Sequence, residues 1–474
     1  MSVGTEHAYI VLNRFKKEGD SILEKWIEEV RTNDQFSFSD NTIHSAKRCL
    51  LDTLSLIIKG STYPNMQPLS KVLVGTQSKQ SSGYGIGFGN LESSDAALYN
   101  GTAAHSIELD DFYREGSVHP GVVVIPTALA CGQEMNTSGD NLLKSIIIGY
   151  EIMSRVGIAA KGTLYNRGFH PTSICGVYGS AATSSFLYAL SESETKMALG
   201  ISGNFSFGLM AYKSNGAWTK RLNAGWAAKS GIMASKLASN GFIGPDNIIE
   251  GRYGYQQAFC EEFDASPFKE KQIKNFIIDV ISFKPYSSCR FTHSPIDATL
   301  SLIDQHKIEI HEIEKIEIFT HKTAIEATMR PKERKYRPST TVDAQFSIPY
   351  CLGLAIKHKN VLPEMFESNR LQDKEILNIA NKVLAFEDKK YTELFPQHNA
   401  CKVIIHAKKE IFEVEVTDSR GDPEFPLSDD EVIRKFRSLT ENILSKVNQD
   451  KIIESVWSIN EINDINEFTK YLKC

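Results

Sequence analysis

The sequence predicts a mainly α protein, a large all-helical domain joined to a smaller α+β domain, and three observations predict it. In the first half, apolar residues recur at three- and four-residue steps, as in Thr42–Lys59, where Ile43, Ala46, Leu50, Leu54 and Ile57 form one stripe. Beyond Phe268 the period changes, and Glu309–Thr320 and Lys402–Val416 alternate apolar and polar residues as half-buried strands do. Late in the chain, Ser428-Asp429-Asp430-Glu431 has the form of a capping box and opens a last helix. At 474 residues the chain holds about three domains' worth of sequence on a prior of ~150 residues each.

In chain order, the string Gly83-Tyr84-Gly85-Ile86-Gly87-Phe88-Gly89 comes after the first helix. Its spacing does not match the dinucleotide fingerprint and no Walker lysine follows, so it reads as a turn or hairpin. Gly139–Gly162 and Pro171–Leu190 read as helices, the second full of Ala, Gly, Ser and Thr. After Lys220, the residues Ala224, Gly225, Ala227, Ala228, Gly231 and Ala234 repeat that habit. Small side chains let helices approach closely, which predicts a tightly packed, buried bundle. The run Lys269, Glu270, Lys271, Lys274 reads as a solvated linker, and Val342–Lys357 and Asp373–Val383 as helices. Asp418–Pro426 is rich in turn residues. The division that results is 1–267 helical, 268–420 α+β, and 421–474 a helical return to the first domain.

Composition narrows the function. Hydrophobic residues at 41% allow a large core, and 53 basic against 58 acidic side chains give a net charge of −5. That balance argues against nucleic acid or an anionic membrane as partner. The longest apolar stretches fall far short of the roughly 18 residues of a membrane span. Met1–Asp20 lacks an export-type apolar run, and the eight cysteines show no CxxC pair, so free thiols and a cytoplasmic location are expected and zinc is not.

Polar residues gather at five places. His105-Ser106-Ile107-Glu108-Leu109-Asp110-Asp111 ends a small-residue helix with three acids in four positions, and Glu108 and Asp111 would share a helical face. His119-Pro120 and His170-Pro171 each precede an apolar helix, and proline favours the first helical position. For His119 the start is ambiguous, because Pro126 competes for it. A helix N-terminus attracts anions and depresses a neighbouring imidazole, which suits a histidine that is protonated as a carboxylate arrives. Lys220-Arg221 offers cations to a polyanionic substrate. The loop Lys284–His293 packs Lys284, Cys289, Arg290 and His293 together, and Ser294–Asp297 opens the next helix as a variant capping box.

The ordered motifs HSIELDD…HPG…IPTALA, GFHPTS…GSAA, TKRLNAGWAA and KPYSSC…H…DA resemble those of the MmgE/PrpD family, over about Asp52 to Leu302. That family includes 2-methylcitrate dehydratase, cis-aconitate decarboxylase and iminodisuccinate epimerase. The resemblance implies a helical domain built from both chain ends, a smaller α+β lid, a homodimer, an active site at their junction, and neither cofactor nor metal. It places His119, His170 and Lys220 on the family's active-site His, His and Lys. Glu108 falls where many members have Asp, Lys284 on a lysine of the lid loop, and Cys289 where the animal decarboxylases have histidine and other members cysteine. Glu108, Asp111, Arg221, Lys284, Cys289 and His293 are then the expected substrate contacts. The resemblance implies a small di- or tricarboxylate as substrate and decarboxylation of the cis-aconitate type as the reaction, with dehydration of a methylcitrate-type acid or epimerisation of iminodisuccinate as alternatives. A non-catalytic helical binding protein is the alternative of another class, and the intact set of His119, His170 and Lys220 speaks against it.

Overall fold

The computed structural model describes Ile22 and residues 38–77, 81–269 and 276–473. The readings made for Met1–Asp20, Glu270–Lys274 and Cys474 lie outside the described residues. Helix α1 (Asp40–Gly60) starts at Ser39, whose hydroxyl accepts from the Thr42 N–H, and its apolar stripe is buried except at Ile43, which is half-buried. The glycine-rich string folds as a hairpin, with β1 (Gly83–Gly85) antiparallel to β2 (Gly89–Leu91) and Gly87 at φ 79° in the turn. Five helices follow that carry or support the site: α2 (Ser93–Ala104), α3 (Gly121–Met135), α4 (Gly139–Ala159), α5 (Pro171–Leu187) and α6 (Thr219–Ser239).

Small residues set the packing of this bundle. α6 lies against both α2 and α5, and α4 against α5. A Cβ built on Gly225 of α6 would stand 2.1 Å from the Leu98 carbonyl oxygen of α2. One built on Gly231 would meet the Ser180 side chain of α5 at 2.4 Å. Such approaches need hydrogen at those positions, and they explain why α2, α3 and α5 are buried over nearly their whole lengths.

The α+β domain has its own apolar core, gathered from residues between Tyr286 and Ala407, whereas the helical core draws on residues up to Phe283 and again from Leu427 to Leu472. Its sheet has the order β4-β3-β5-β6, with β3 (Ile313–Thr320), β4 (Val383–Glu387), β5 (Cys401–Ala407) and β6 (Glu410–Val416). β4 is parallel to β3 and the other pairs are antiparallel. Ile316 and Ile318 point into the core while their neighbours do not, the alternation the sequence carries.

Several boundaries differ from expectation. Lys402–Val416 is a hairpin, because Lys408 and Lys409 both adopt positive φ, 56° and 60°, and turn the chain. Val342–Lys357 breaks after Gln345, and α8 (Ile348–His358) starts afresh with Ser347 as its cap. The helix read over Asp373–Val383 stops at Ala380, since Val383 opens β4. Ser294–Asp297 is no capping box, because α7 (His293–His306) begins a residue earlier and the Ser294 hydroxyl donates to the Asn399 carbonyl. The box at Ser428 is real and starts α9 (Asp429–Thr440), but α10 (Lys446–Trp457) follows it. Among the described residues no helix is long and apolar enough to cross a membrane, and all seven described cysteines are free.

Candidate active site

The site is built on the loop that follows α2. The helix ends at Ala104, His105 is its C-cap, and Glu108 then takes φ 56°. That left-handed residue sends Glu108 and Asp111 apart, so the helical face expected to hold both does not exist. Glu108 points at two ammonium groups, Lys220 from the first turn of α6 and Lys284 from the α+β domain, the latter at 3.2 Å. Burial opposes ionisation of Glu108, but the two lysines outweigh it and hold the carboxyl well below its usual range. Lys284 is itself 1% exposed. Burial alone would depress its pKa, but Glu108 and Asp110 reverse that and leave it above the ordinary lysine value.

Asp110 is the second organiser. Its Oδ2 lies 3.0 Å from His105 Nδ1 and 2.7 Å from His119 Nδ1, and its Oδ1 is 3.7 Å from Lys284 Nζ. It is fully buried, which favours the neutral acid, yet His119, Lys284 and His105 keep it ionised. His119 precedes Pro120, the N-cap of α3, and Pro126 lies inside that helix. His170 is the N-cap of α5, with Pro171 in the first turn. Its ring stacks on His105 at 5.6 Å, and Asn223 donates to its Nδ1 at 3.3 Å. Burial, then the positive groups around it, depress His170 well below the normal imidazole value, and His105 falls to about 4 for the same first reason.

His119, His170, Lys220, Lys284, Glu108 and Cys289 all line one cavity of about 600 Å³ between the two domains. The seam is stitched at this point. Ser287 donates to the Ile107 carbonyl at 2.5 Å, Lys284 to the Glu108 carbonyl at 3.4 Å, and Phe112 pairs with Ser282 as an isolated bridge. Cys289 is 7% exposed, and burial pushes its thiol up, so it faces the cavity as a neutral group.

Three expected contacts are placed elsewhere. Asp111 accepts from the Gly121 N–H at 3.0 Å and from the Tyr150 hydroxyl at 2.6 Å, a clamp on the start of α3 behind the cavity wall. Arg221 donates to Asn65 at 2.9 Å and does not line the cavity. His293 is fully buried between Arg290, 2.9 Å from its Nδ1, and the Ser288 carbonyl. Arg290 takes its place at the wall and is paired with Asp422. The sequence shows His105 and Asp110 as members of HSIELDD, but spacing alone does not say which acid of a cluster turns inward. Lys213, which also lines the cavity, had no sequence signal. Among the described residues, His398, Asp418 and Glu424 have metal-like spacing, but Arg114 already pairs with both carboxylates.

Fold and site thus define a class: a helical domain and an α+β domain that bury imidazole, ammonium and carboxylate groups around one cavity at their junction. The MmgE/PrpD N-terminal domain model matches residues 21–267 and the MmgE/PrpD C-terminal domain model matches residues 286–460, and the chain belongs to the MmgE/PrpD family. It is similar to a cis-aconitate decarboxylase-like protein of Aspergillus oryzae, 26% identical over 92% of this chain and 93% of that protein. It is also similar to cis-aconitate decarboxylases of Aspergillus terreus, 24% identical over 95% and 94% of the two chains, and of Homo sapiens, 24% identical over 92% and 91%.

Proposed function

We propose that the protein is a lyase for a small di- or tricarboxylate, and that it decarboxylates cis-aconitate to itaconate. The observation that carries the reading is the placement of Lys220 and Lys284 on either side of Glu108, with His119 and His170 on the same cavity. In this reaction the bond from the departing carboxylate to the methylene carbon breaks. Its electron pair forms the new double bond, and the old double bond's pair moves to the former vinyl carbon, next to a remaining carboxylate. A proton then closes the sequence there. Lys284 keeps its charge by virtue of Glu108 and Asp110, so it serves as a fixed cation for the carboxylate that gathers charge. His170, neutral in the free site, gains a proton most readily when a polyanion sits beside it, which suits it to deliver one. The Asp111 carbonyl, 2.6 Å from His119 Nδ1, holds that ring in orientation with the Asp110 carboxylate beside it, and leaves Nε2 for the substrate.

In this reading residues 268–420 act as the lid over a body made of 1–267 and 421–474, and the working unit is a homodimer, which size-exclusion chromatography with light scattering would detect. The test is incubation in D₂O with cis-aconitate, 2-methylcitrate or iminodisuccinate, followed by NMR. Itaconate carrying one deuterium in its saturated methylene is the expected outcome. Dehydration of 2-methylcitrate or epimerisation of iminodisuccinate, with cis-aconitate untouched, would overturn decarboxylation and keep the acid–base site. Lys220→Ala should lower kcat/KM by about a hundredfold or more, the scale of losing one preorganised donor. Activity close to wild type in that variant would remove Lys220 from the chemistry.

A further inference from the structure

A second, smaller chamber of about 230 Å³ adjoins the main cavity and shares Tyr165, Tyr212, Lys213, Thr323 and Phe346 with it. Its charged lining is four cations, Lys213, Arg330, Arg334 and Lys335, against two acids, Glu326 and Asp343. The acids are already taken: Glu326 pairs with Arg330 at 2.9 Å and Asp343 with Arg334 at 2.5 Å. What is left is two lysines. Lys335 is 6% exposed, and among the described residues its ammonium has no hydrogen bond or ion pair. Among the described residues Lys213 donates only to the Tyr165 hydroxyl, at 2.6 Å, and it lies 4.2 Å over that ring.

Two such ammonium groups on one chamber wall, Lys335 buried and Lys213 half-buried, are costly to keep. Burial first, and then neighbouring positive charges that include Lys220 and Lys335, bring Lys213 down to about 8, and burial also lowers Lys335. A buried charge without a partner is unfavourable unless something supplies the opposite charge. In the main cavity, by contrast, Lys220 and Lys284 already face Glu108, and Arg290 faces Asp422. Arg114 and Lys161 on the main cavity wall are paired as well, so among the described residues the lining lysines without a carboxylate of their own are Lys213 and Lys335.

We propose that the side chamber is an anion-binding subsite that takes one carboxylate or phosphate group between Lys213 and Lys335. The anion is either an outer carboxylate of the substrate or a free anion held beside it. The space suits this, being several times the ~30 Å³ share of one water. The subsite does not depend on decarboxylation, and its test uses probes with no reacting bond.

Binding of inorganic phosphate and of tricarballylate to the full chain is measured by calorimetry, in wild type, Lys335→Met, Lys213→Met and the charge-keeping Lys335→Arg. Each Met variant should weaken a probe by at least about tenfold, the scale of a lost charged hydrogen bond, and Lys335→Arg should retain it. The thermal midpoint of Lys335→Met should be unchanged or higher, because an unpaired buried charge is removed. Weakened tricarballylate binding assigns the subsite to the substrate's own carboxylate, and weakened phosphate binding alone assigns it to a free anion. Wild-type affinity for both probes in both folded Met variants, or a wild type that binds neither probe, would overturn the proposal.

Discussion

Asp110 and Asp111 are neighbours in the chain, both buried, and their environments drive them in opposite directions. Two imidazoles and Lys284 surround Asp110 and keep it ionised, whereas Asp111 has no ion pair among the described residues, and burial, with the nearby acids Asp52 and Asp110, pushes it up to about 7 despite its bonds from Tyr150 and Gly121. Between pH ~4 and 7 the folded protein therefore keeps a proton on Asp111 that the unfolded chain has released. Folding takes up that proton, so this residue makes stability fall as pH rises through the window. Asn has the same shape and can still accept from Gly121 and donate to the Tyr150 oxygen. Asp111→Asn should thus gain stability relative to wild type on going from pH 5 to pH 8, of order 2–4 kcal/mol, in urea unfolding. An equal effect at both pH values would show that Asp111 is ionised in the fold. His105 has the opposite sign: depressed to about 4, it contributes stability that is present above pH ~6.5 and is lost as pH falls toward 4.

At the scale of elements, glycine decides how closely the site's helices meet. Lys220 and Gly225 are on the same helix, α6, and Gly225 lets that helix press on the Leu98 carbonyl of α2, the helix whose end becomes the Glu108 loop. A methyl group there meets backbone, which cannot rotate away. Gly225→Ala should destabilise the protein by about 1–3 kcal/mol, as overpacking does. It should also lower activity by moving Lys220 away from Glu108. Chemical denaturation alongside a rate assay checks both, and a neutral Gly225→Ala would mean that α2 and α6 can separate freely. The strand segments show the limit of pattern reading. Alternation in Lys402–Val416 identified strands, but the turn between β5 and β6 uses Lys408 and Lys409 where Asn-Gly would have announced it.

For the whole molecule, the important feature is that the chain returns to the helical core. From α9, Lys435 reaches back to donate to the Leu109 carbonyl at 2.9 Å and pairs with Asp52 of α1 at 2.7 Å. The last part of the chain thus props the loop that carries Glu108 and Asp110. Asp52 is 1% exposed, and burial raises its pKa even with Lys435 present. Lys435→Met would leave that carboxyl unpaired and should cost about 3–5 kcal/mol, measured as a lowered urea midpoint at neutral pH. The loss should shrink in acid, where Asp52 is protonated. A midpoint equal to wild type would mean that the C-terminal return adds nothing to the stability of the site.

The sequence by itself determined the helical and α+β character, the capping box at Ser428, and the histidines His119 and His170 beside their helix starts, because capping, period and proline placement are local effects within a few residues. It also carried the ordered motifs of the family. What only the tertiary structure decided was which polar side chains face the same space. The Asp110 carboxylate rather than that of Asp111 meets the imidazoles because Glu108 takes a left-handed turn, and Arg290 rather than His293 reaches the cavity because α7 begins at His293. Lys213 and Lys335 are 122 residues apart, and their shared chamber exists because the α+β domain is laid against the helical one. Burial and pairing are properties of that contact, and no spacing along the chain encodes them.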